Sequence, residues 1–261
     1  MNLKSKKFAI IISSCDKYSD LWPPLGNLYK KYWKNCNNEI YLLTESLNFQ
    51  KITRLNVGIK TINVNSKSWS KRLKIALQLK IIKEKNILFV LDDFFLQSKV
   101  SNKKIDYYFY QFKKFKMEML RIVARPGPLK KNKLVNNIGK INNNESYTIS
   151  TQAAFWQKTS LISHLNDKEN IWQFEINGSK RVRQKKINFF GVYKDILPYK
   201  HHVVERGKWF PWYYIKFKNM DIGVSNKREV MSFFESTFWI FKKYVLYYLK
   251  KIFRFLLNIV R

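Results

Sequence analysis

The sequence predicts an α/β fold built on a mostly parallel sheet flanked by helices. Three observations predict it. Short apolar runs recur at 8–14, 39–44, 58–63 and 87–91. Stretches with helical patterning lie between them, as in chains that alternate strand and helix. The last run, Ile87-Leu-Phe-Val-Leu91, is apolar at every position and ends in the adjacent carboxylates Asp92 and Asp93. Strands apolar on both faces belong to parallel sheets covered on both sides.

Taken in order, residues 8–14 form the first strand, and a loop through Cys15, Asp16 and Lys17 follows. The segment from Tyr18 to Trp33 comes next, its start interrupted by Pro23 and Pro24. Glu39-Ile-Tyr-Leu-Leu-Thr44 is the second strand and Gly58-Ile-Lys-Thr-Ile-Asn63 a weaker third. A helix is expected over 69–82, because Leu73, Ala76, Leu77 and Ile81 share one face. After the strand 87–91, a polar helix carrying aromatic residues is expected over 102–118, followed by Leu120-Arg-Ile-Val-Ala124. Arg125-Pro-Gly-Pro128 is a break, and the Lys- and Asn-rich residues 130–146 read as a loop or hairpin. Order resumes at Tyr147-Thr-Ile-Ser150, with helices expected over 151–163 and 170–184. Residues 186–230 carry no assignable pattern, and there is no internal repeat.

The chain is expected to divide into an α/β domain over 1–230 and a helical tail over 231–261. At about 100° per residue, Lys242, Lys243, Lys250, Lys251, Arg254 and Arg261 fall in one half of the tail's wheel. Phe241, Val245, Tyr248, Ile252, Phe255, Leu256 and Ile259 fall opposite. That is the pattern of a helix lying in an anionic membrane surface, and equally of one docking its aromatic face on protein.

With 261 residues, 46% of them hydrophobic, the chain can bury a core despite a formal charge of +32. Fifty Lys and Arg against 18 Asp and Glu point to anionic partners. Runs such as Lys180-Arg-Val-Arg-Gln-Lys-Lys186 suit nucleic-acid phosphate, but no reading module accompanies them, and no nucleic-acid partner is expected. The two cysteines, Cys15 and Cys36, and a start read as strand rather than signal peptide indicate a reduced, cytoplasmic protein. No apolar stretch approaches the roughly 20 residues that span a bilayer.

Asp92 and Asp93 carry the strongest chemical signal. They fall beyond the carboxyl end of a buried strand, where open α/β sheets receive ligands. Two carboxylates there suit a hard divalent ion that keeps part of its coordination for substrate phosphate. The plain alternative is that they only end the strand.

The first strand leading to Ser14-Cys-Asp16, Tyr41-Leu-Leu-Thr44, Ser68-Trp-Ser-Lys-Arg72 and Leu91-Asp-Asp-Phe94 together resemble nucleotide-sugar glycosyltransferases of the Rossmann-like GT-A fold. Ser150-Thr-Gln-Ala-Ala-Phe-Trp156 and Trp172-Gln-Phe-Glu175 are similar to bacterial enzymes of capsule and lipopolysaccharide biosynthesis. The resemblance spans about residues 7–215. It implies a nucleotide-diphosphate sugar donor (a UDP-sugar), manganese or magnesium, and a glycan or lipid-linked glycan acceptor at the cytoplasmic face of the membrane. A second copy of the chain is compatible with it. Where the family commonly has Asp-any-Asp, this chain has Asp92-Asp93-Phe94, which leaves open which carboxylate holds a metal.

The resemblance implies roles residue by residue. Ser14, Asp16 and Thr44 would line the nucleotide pocket, Arg72 would touch donor phosphate or sugar, and Asp92 and Asp93 would hold the metal. Asp93 is also a catalytic candidate. His202, from the pair His201-His202, is a candidate third ligand. Glu175 is the expected general base of an inverting transfer, with Asp167 and Glu169 as competitors. Gln152 and Trp156 would open the helix on the acceptor side, Trp156 stacking on a sugar or lying in the core. His164 reads as structural.

Overall fold

The computed structural model describes residues 8–128, 133–145, 147–200, 203–242 and 245. The chain falls into two compact units, Met1–His201 and His202–Arg261.

The first unit begins with β1 (Ala9–Ser13), a 3₁₀ helix over Asp16–Leu21, and α1 (Trp22–Tyr32). Next come β2 (Ile40–Thr44), α2 (Phe49–Thr53), β3 (Ile59–Asn63), α3 (Trp69–Gln78) and β4 (Asn86–Leu91). Pro23 and Pro24 do not interrupt α1 but open it, since the first turn has no use for their missing N–H groups. Ser68 caps α3 by accepting from the Lys71 amide, and the helix stops at Gln78 rather than 82.

β5 (Phe95–Leu96), α4 (Asn102–Lys114), β6 (Met119–Arg121), β7 (Lys133–Val135), β8 (Ile138–Lys140) and β9 (Ala154–Gln157) follow. The unit ends with α5 (Lys158–His164), α6 (Ile171–Arg181), β10 (Phe189–Val192) and β11 (Tyr199–Lys200). α4 ends before 118 because Lys116 turns into a left-handed conformation, φ +49°, that redirects the chain into β6. The expected helix 151–163 is instead β9 followed by α5. Its apolar Ala154-Phe-Trp156 slots between β4 and β6 and is decided by those neighbours, not by local period.

The main sheet runs β3-β2-β1-β4-β9-β6-β10-β8-β7. β1 to β4 are mutually parallel, β9 is antiparallel to β4 and β6, and β10 pairs parallel with β6. Both faces are covered. Ala9, Ile11, Ile87, Phe89 and Trp156 pack with Leu73 and Leu77 of α3, Leu161 of α5 and Phe174 of α6. On the other side Phe8 meets Phe109 of α4 at 4.8 Å and Phe155 at 5.0 Å between ring centroids. Each such fully buried side chain contributes about 1.5–3 kcal/mol, which is why the strands are uniformly apolar.

In the second unit, β12 (Val204–Glu205) and β13 (Lys208–Trp209) form a hairpin over Arg206 and Gly207, both at positive φ. α7 (Pro211–Asn219) follows, and residues 233–242 are helical. Trp209 and Phe217 are fully buried, and the Arg206 guanidinium lies 3.9 Å from the Trp239 ring centroid. Among the described residues no helix is long and apolar enough to cross a membrane. Of the tail's expected cationic face only Lys242 lies within the described residues.

Candidate functional site

The strand order places a switch point between β1 and β4. From β1 the chain first moves outward to β2 and β3, then crosses back to β4 on the other side. Loops leaving the carboxyl ends of β1 and β4 part there and leave a crevice. Ser14 follows β1 and Asp92 follows β4, so both stand at its mouth.

The Ser14 hydroxyl donates to Oδ2 of Asp92 and accepts from Trp22 Nε1 at 2.7 Å. The Asp92 amide donates to the Ser13 carbonyl at 3.2 Å. Asp92 is thereby buried and turned toward the β1 loop, whereas Asp93 is partly exposed.

Beyond β2, Asp16 accepts from Thr44 Oγ1 at 2.5 Å, from the Ser46 hydroxyl at 2.5 Å and from the Leu47 amide at 3.1 Å. Burial alone would raise the Asp16 carboxyl, but these bonds outweigh it and hold it at about 2. Its own amide donates to Glu45 at 2.6 Å. Glu45 also receives Arg72 Nη1, which donates to the Ser66 carbonyl at 2.8 Å as well, while Nη2 reaches the Ser14 carbonyl at 3.1 Å.

Ser14, Asp16, Thr44, Arg72 and Asp92 thus belong to one hydrogen-bonded network, joined through Glu45. Arg72 is only 4% exposed. It ties the β1, β2 and β3 loops together. Burial, then the charges of Asp92 and Glu45, push the Cys15 thiol up to about 11, so it is no nucleophile.

The opposite wall comes from the antiparallel strand. Phe89 pairs with Ala154 and Asn86 with Gln157, so the chain just before β9 lies beyond the carboxyl end of β4. There Oε1 of Glu175 accepts from the Thr151 amide at 2.6 Å and from its hydroxyl at 2.8 Å. Burial pushes the Glu175 carboxyl up, while the Thr151 bonds and the nearby Arg121 charge pull it back in part. Tyr199 donates to Gln152 Oε1 at 2.9 Å and accepts from the Ala153 amide at 3.1 Å. Its ring stacks on Phe94 at 4.5 Å and 9°, immediately after Asp93.

The competitors of Glu175 are engaged elsewhere. Glu169 pairs with both terminal nitrogens of Arg181 at 2.5 and 2.8 Å, and Asp167 pairs with Lys74 at 3.1 Å. Trp156 is buried in the core beside His164 and Phe189, the second of its two expected places. Trp172, one helical turn before Glu175, is 70% exposed. His164 is buried, and desolvation, with Lys185 and Arg181 nearby, lowers it to about 4, consistent with a structural place. His202 lies outside the described residues.

Sequence reading missed Glu45, Thr151, Arg121 and Tyr199. Glu45 alone had a local signal, since it follows β2 on the same sheet edge.

Among the described residues no cluster of three or more His, Cys, Asp or Glu side chains stands ready to hold a metal. Magnesium-type ions are usually bound by one or two carboxylates, with substrate phosphate and water completing the shell. Asp93, with Asp92 behind it, fits that kind of site and not a closed protein cage.

Neither a protein-family model nor a curated protein matches the sequence. Solved structures do match in fold. The crystal structure of S. aureus TarS 1–349 superposes with a TM-score of 0.50 at 12% identity, over 76% of this chain and 61% of that one. The match therefore spans about three fifths of that TarS 1–349 chain. A cytidylyltransferase from Leptospira borgpetersenii follows at TM-score 0.44 and 12% identity, over 85% and 98% of the two chains. The galactosyltransferase LgtC, solved with donor and acceptor sugar analogues, follows at 0.35 and 9%, over 60% of each. The similarity to TarS and the sheet order make the fold GT-A-like, a mostly parallel sheet flanked by helices.

Proposed function

We propose that the chain is a glycosyltransferase that moves a sugar from a nucleotide-diphosphate donor, a UDP-sugar, to a hydroxyl of a surface glycan. The observation that carries this reading is the pair Asp92–Asp93 at the β1/β4 switch point, facing an edge that also bears the anchored carboxylate Glu175. Diphosphate chemistry needs cationic neutralisation beside the first feature. Hydroxyl activation needs a base like the second.

In this reading the β1 and β2 loops, locked together by Asp16, Glu45 and Arg72, form the wall against which the nucleotide rests. Glu175 keeps Oε1 on Thr151 and offers Oε2 to the acceptor hydroxyl. As the hydroxyl oxygen attacks the anomeric carbon, its proton passes to Glu175 and the bond to the diphosphate oxygen breaks. The nucleoside diphosphate departs and the anomeric configuration inverts. A manganese or magnesium ion held by Asp93 and Asp92 would neutralise charge on the leaving diphosphate. Trp172, exposed beside Glu175, offers an aromatic face for an acceptor sugar.

Calorimetric titration with a panel of nucleoside diphosphates, with and without manganese, tests the reading. One nucleotide, UDP, is expected to bind in a metal-dependent way. Folded protein that binds none under any condition would overturn it and favour a nucleic-acid or scaffold role.

The second unit supports a site of action at a lipid surface. Phe234, Phe238 and Phe241 are 83%, 58% and 64% exposed and recur at helical spacing on one face, with Val245 in register. Lys242 and the further cations of the sequence accompany them, each worth about 1 kcal/mol near an anionic surface. The reading is an enzyme peripheral to the cytoplasmic membrane, close to a capsule or lipopolysaccharide acceptor carried on lipid. Replacing these three phenylalanines by serine is expected to release the protein from phosphatidylserine vesicles in sedimentation while sparing nucleotide binding. Unchanged sedimentation would exclude this face as the contact.

A further inference from the structure

Arg121 closes β6 at 1% exposure, yet among the described residues no carboxylate accepts a hydrogen bond from it. Nη1 donates to the Pro126 carbonyl, and Nη2 donates to the carbonyls of Tyr147 at 2.8 Å and Thr148 at 3.1 Å. Nε is buried without a hydrogen-bond partner among the described residues. Burying a guanidinium is costly, because the dipoles that accept from it offset the desolvation of a full charge only in part.

The residues it holds run directly into the site. Tyr147 sits at φ +58°, a left-handed conformation that a bulky residue rarely adopts without support. The next residues are pinned from α6. Ser179 accepts from the Ile149 amide at 3.0 Å, and Glu175, four residues earlier on the same helical face, takes Thr151. Arg121 from below and α6 from the side therefore grip one ledge, residues 147–151.

We infer that Arg121 is a positioning residue for Glu175: it braces the ledge on which that carboxylate is anchored and sets a buried positive charge near it. The inference rests on Glu175 acting as the base. Three ionisable groups feel the guanidinium, namely Glu175 of α6, Tyr199 of β11 and Glu145 of the loop before the ledge. Arg121 is the charged neighbour that pulls Glu175 down against the upward push of burial. Burial lowers Arg121 itself only to about 10, so it remains a cation at neutral pH.

The test is a ¹³C-carboxyl NMR titration of Glu175, its signal assigned by Glu175→Gln, in wild type, Arg121→Met and Arg121→Lys. In Arg121→Met the Glu175 midpoint is expected to rise by about one pH unit, and the acidic limb of the kcat/KM profile should rise with it. Arg121→Lys restores the charge but not the fork. Its midpoint should stay near wild type while kcat falls about tenfold through misplacement of the ledge.

An unmoved Glu175 midpoint in folded Arg121→Met would overturn the electrostatic half. Unchanged kcat in Arg121→Lys would overturn the bracing half. If Arg121→Met does not fold, Arg121→Gln supplies the neutral variant for the midpoint, and Arg121→Lys decides the bracing half by its rate. The NMR midpoint needs no turnover, so the inference and the glycosyltransferase reading fail separately. A shifted midpoint with fully active Glu175→Gln would discard the base while leaving the coupling in place.

Discussion

Glu175→Gln is expected to lose about 10²–10⁴-fold in kcat, the range associated with removal of a positioned general base. Its affinity for nucleoside diphosphate should be unchanged. The amide is nearly isosteric, and its oxygen can still accept from the Thr151 amide and hydroxyl, as Oε1 does now. The ledge and the fold should therefore survive. What disappears is the capacity to take a proton.

The wild-type pH profile provides an independent arm. A base works only when ionised, so kcat/KM should rise with pH through the Glu175 midpoint. Burial pushes that midpoint above the ordinary glutamate value, and the acidic limb should accordingly lie above about 4.3. Glu175→Gln should flatten that limb. A loss of less than threefold in kcat, with the limb intact, would remove Glu175 from the chemistry and turn attention to a retaining mechanism.

Much of the first half of the sheet was legible because its strands are buried on both faces. Such burial demands continuous apolar runs, and Ile87-Leu-Phe-Val-Leu91 is one. The position of Asp92 and Asp93 followed from the same logic, since the carboxyl edge of an open sheet is where a crevice forms. β9 was illegible for the converse reason. Ala154-Phe-Trp-Gln157 is too short to show a period, and only its insertion between β4 and β6 makes it a strand.

The two tryptophans near the site show the same limit. From sequence Trp156 suited a sugar face and the core equally, and it is core, whereas Trp172 is 70% exposed. Arg72 resembled a solvated or phosphate-binding cation, but Glu45 and two carbonyls, from elements 27, 6 and 58 residues away, draw it inside. Arg121 and Tyr199 had no signal at all. Their partners lie 26 and 47 residues away along the chain, and nothing local marks either as part of a site.

The paired aspartates should separate on substitution, because the structure gives them different surroundings. Asp92 is 6% exposed and receives the Ser14 hydroxyl, itself held by Trp22. Asp92→Asn weakens a charge-assisted hydrogen bond inside the fold, and hydrogen bonds to charged groups are worth about 1.5–3 kcal/mol. Its thermal midpoint should fall along with nucleotide binding. Asp93 is partly exposed beyond β4, so in the proposed reading Asp93→Asn removes a charge that serves the ligand. Its thermal midpoint should remain close to wild type, while metal-dependent nucleotide binding is lost and transfer falls by about 10²–10³-fold, comparable to deleting one preorganised electrostatic contact. Calorimetric titration and thermal unfolding of the two single variants check both halves. If Asp93→Asn bound nucleotide and manganese as wild type does while Asp92→Asn alone lost them, the inward carboxylate would be the ligand. The Ser14 hydrogen bond would then be the contact that must open before the donor can bind.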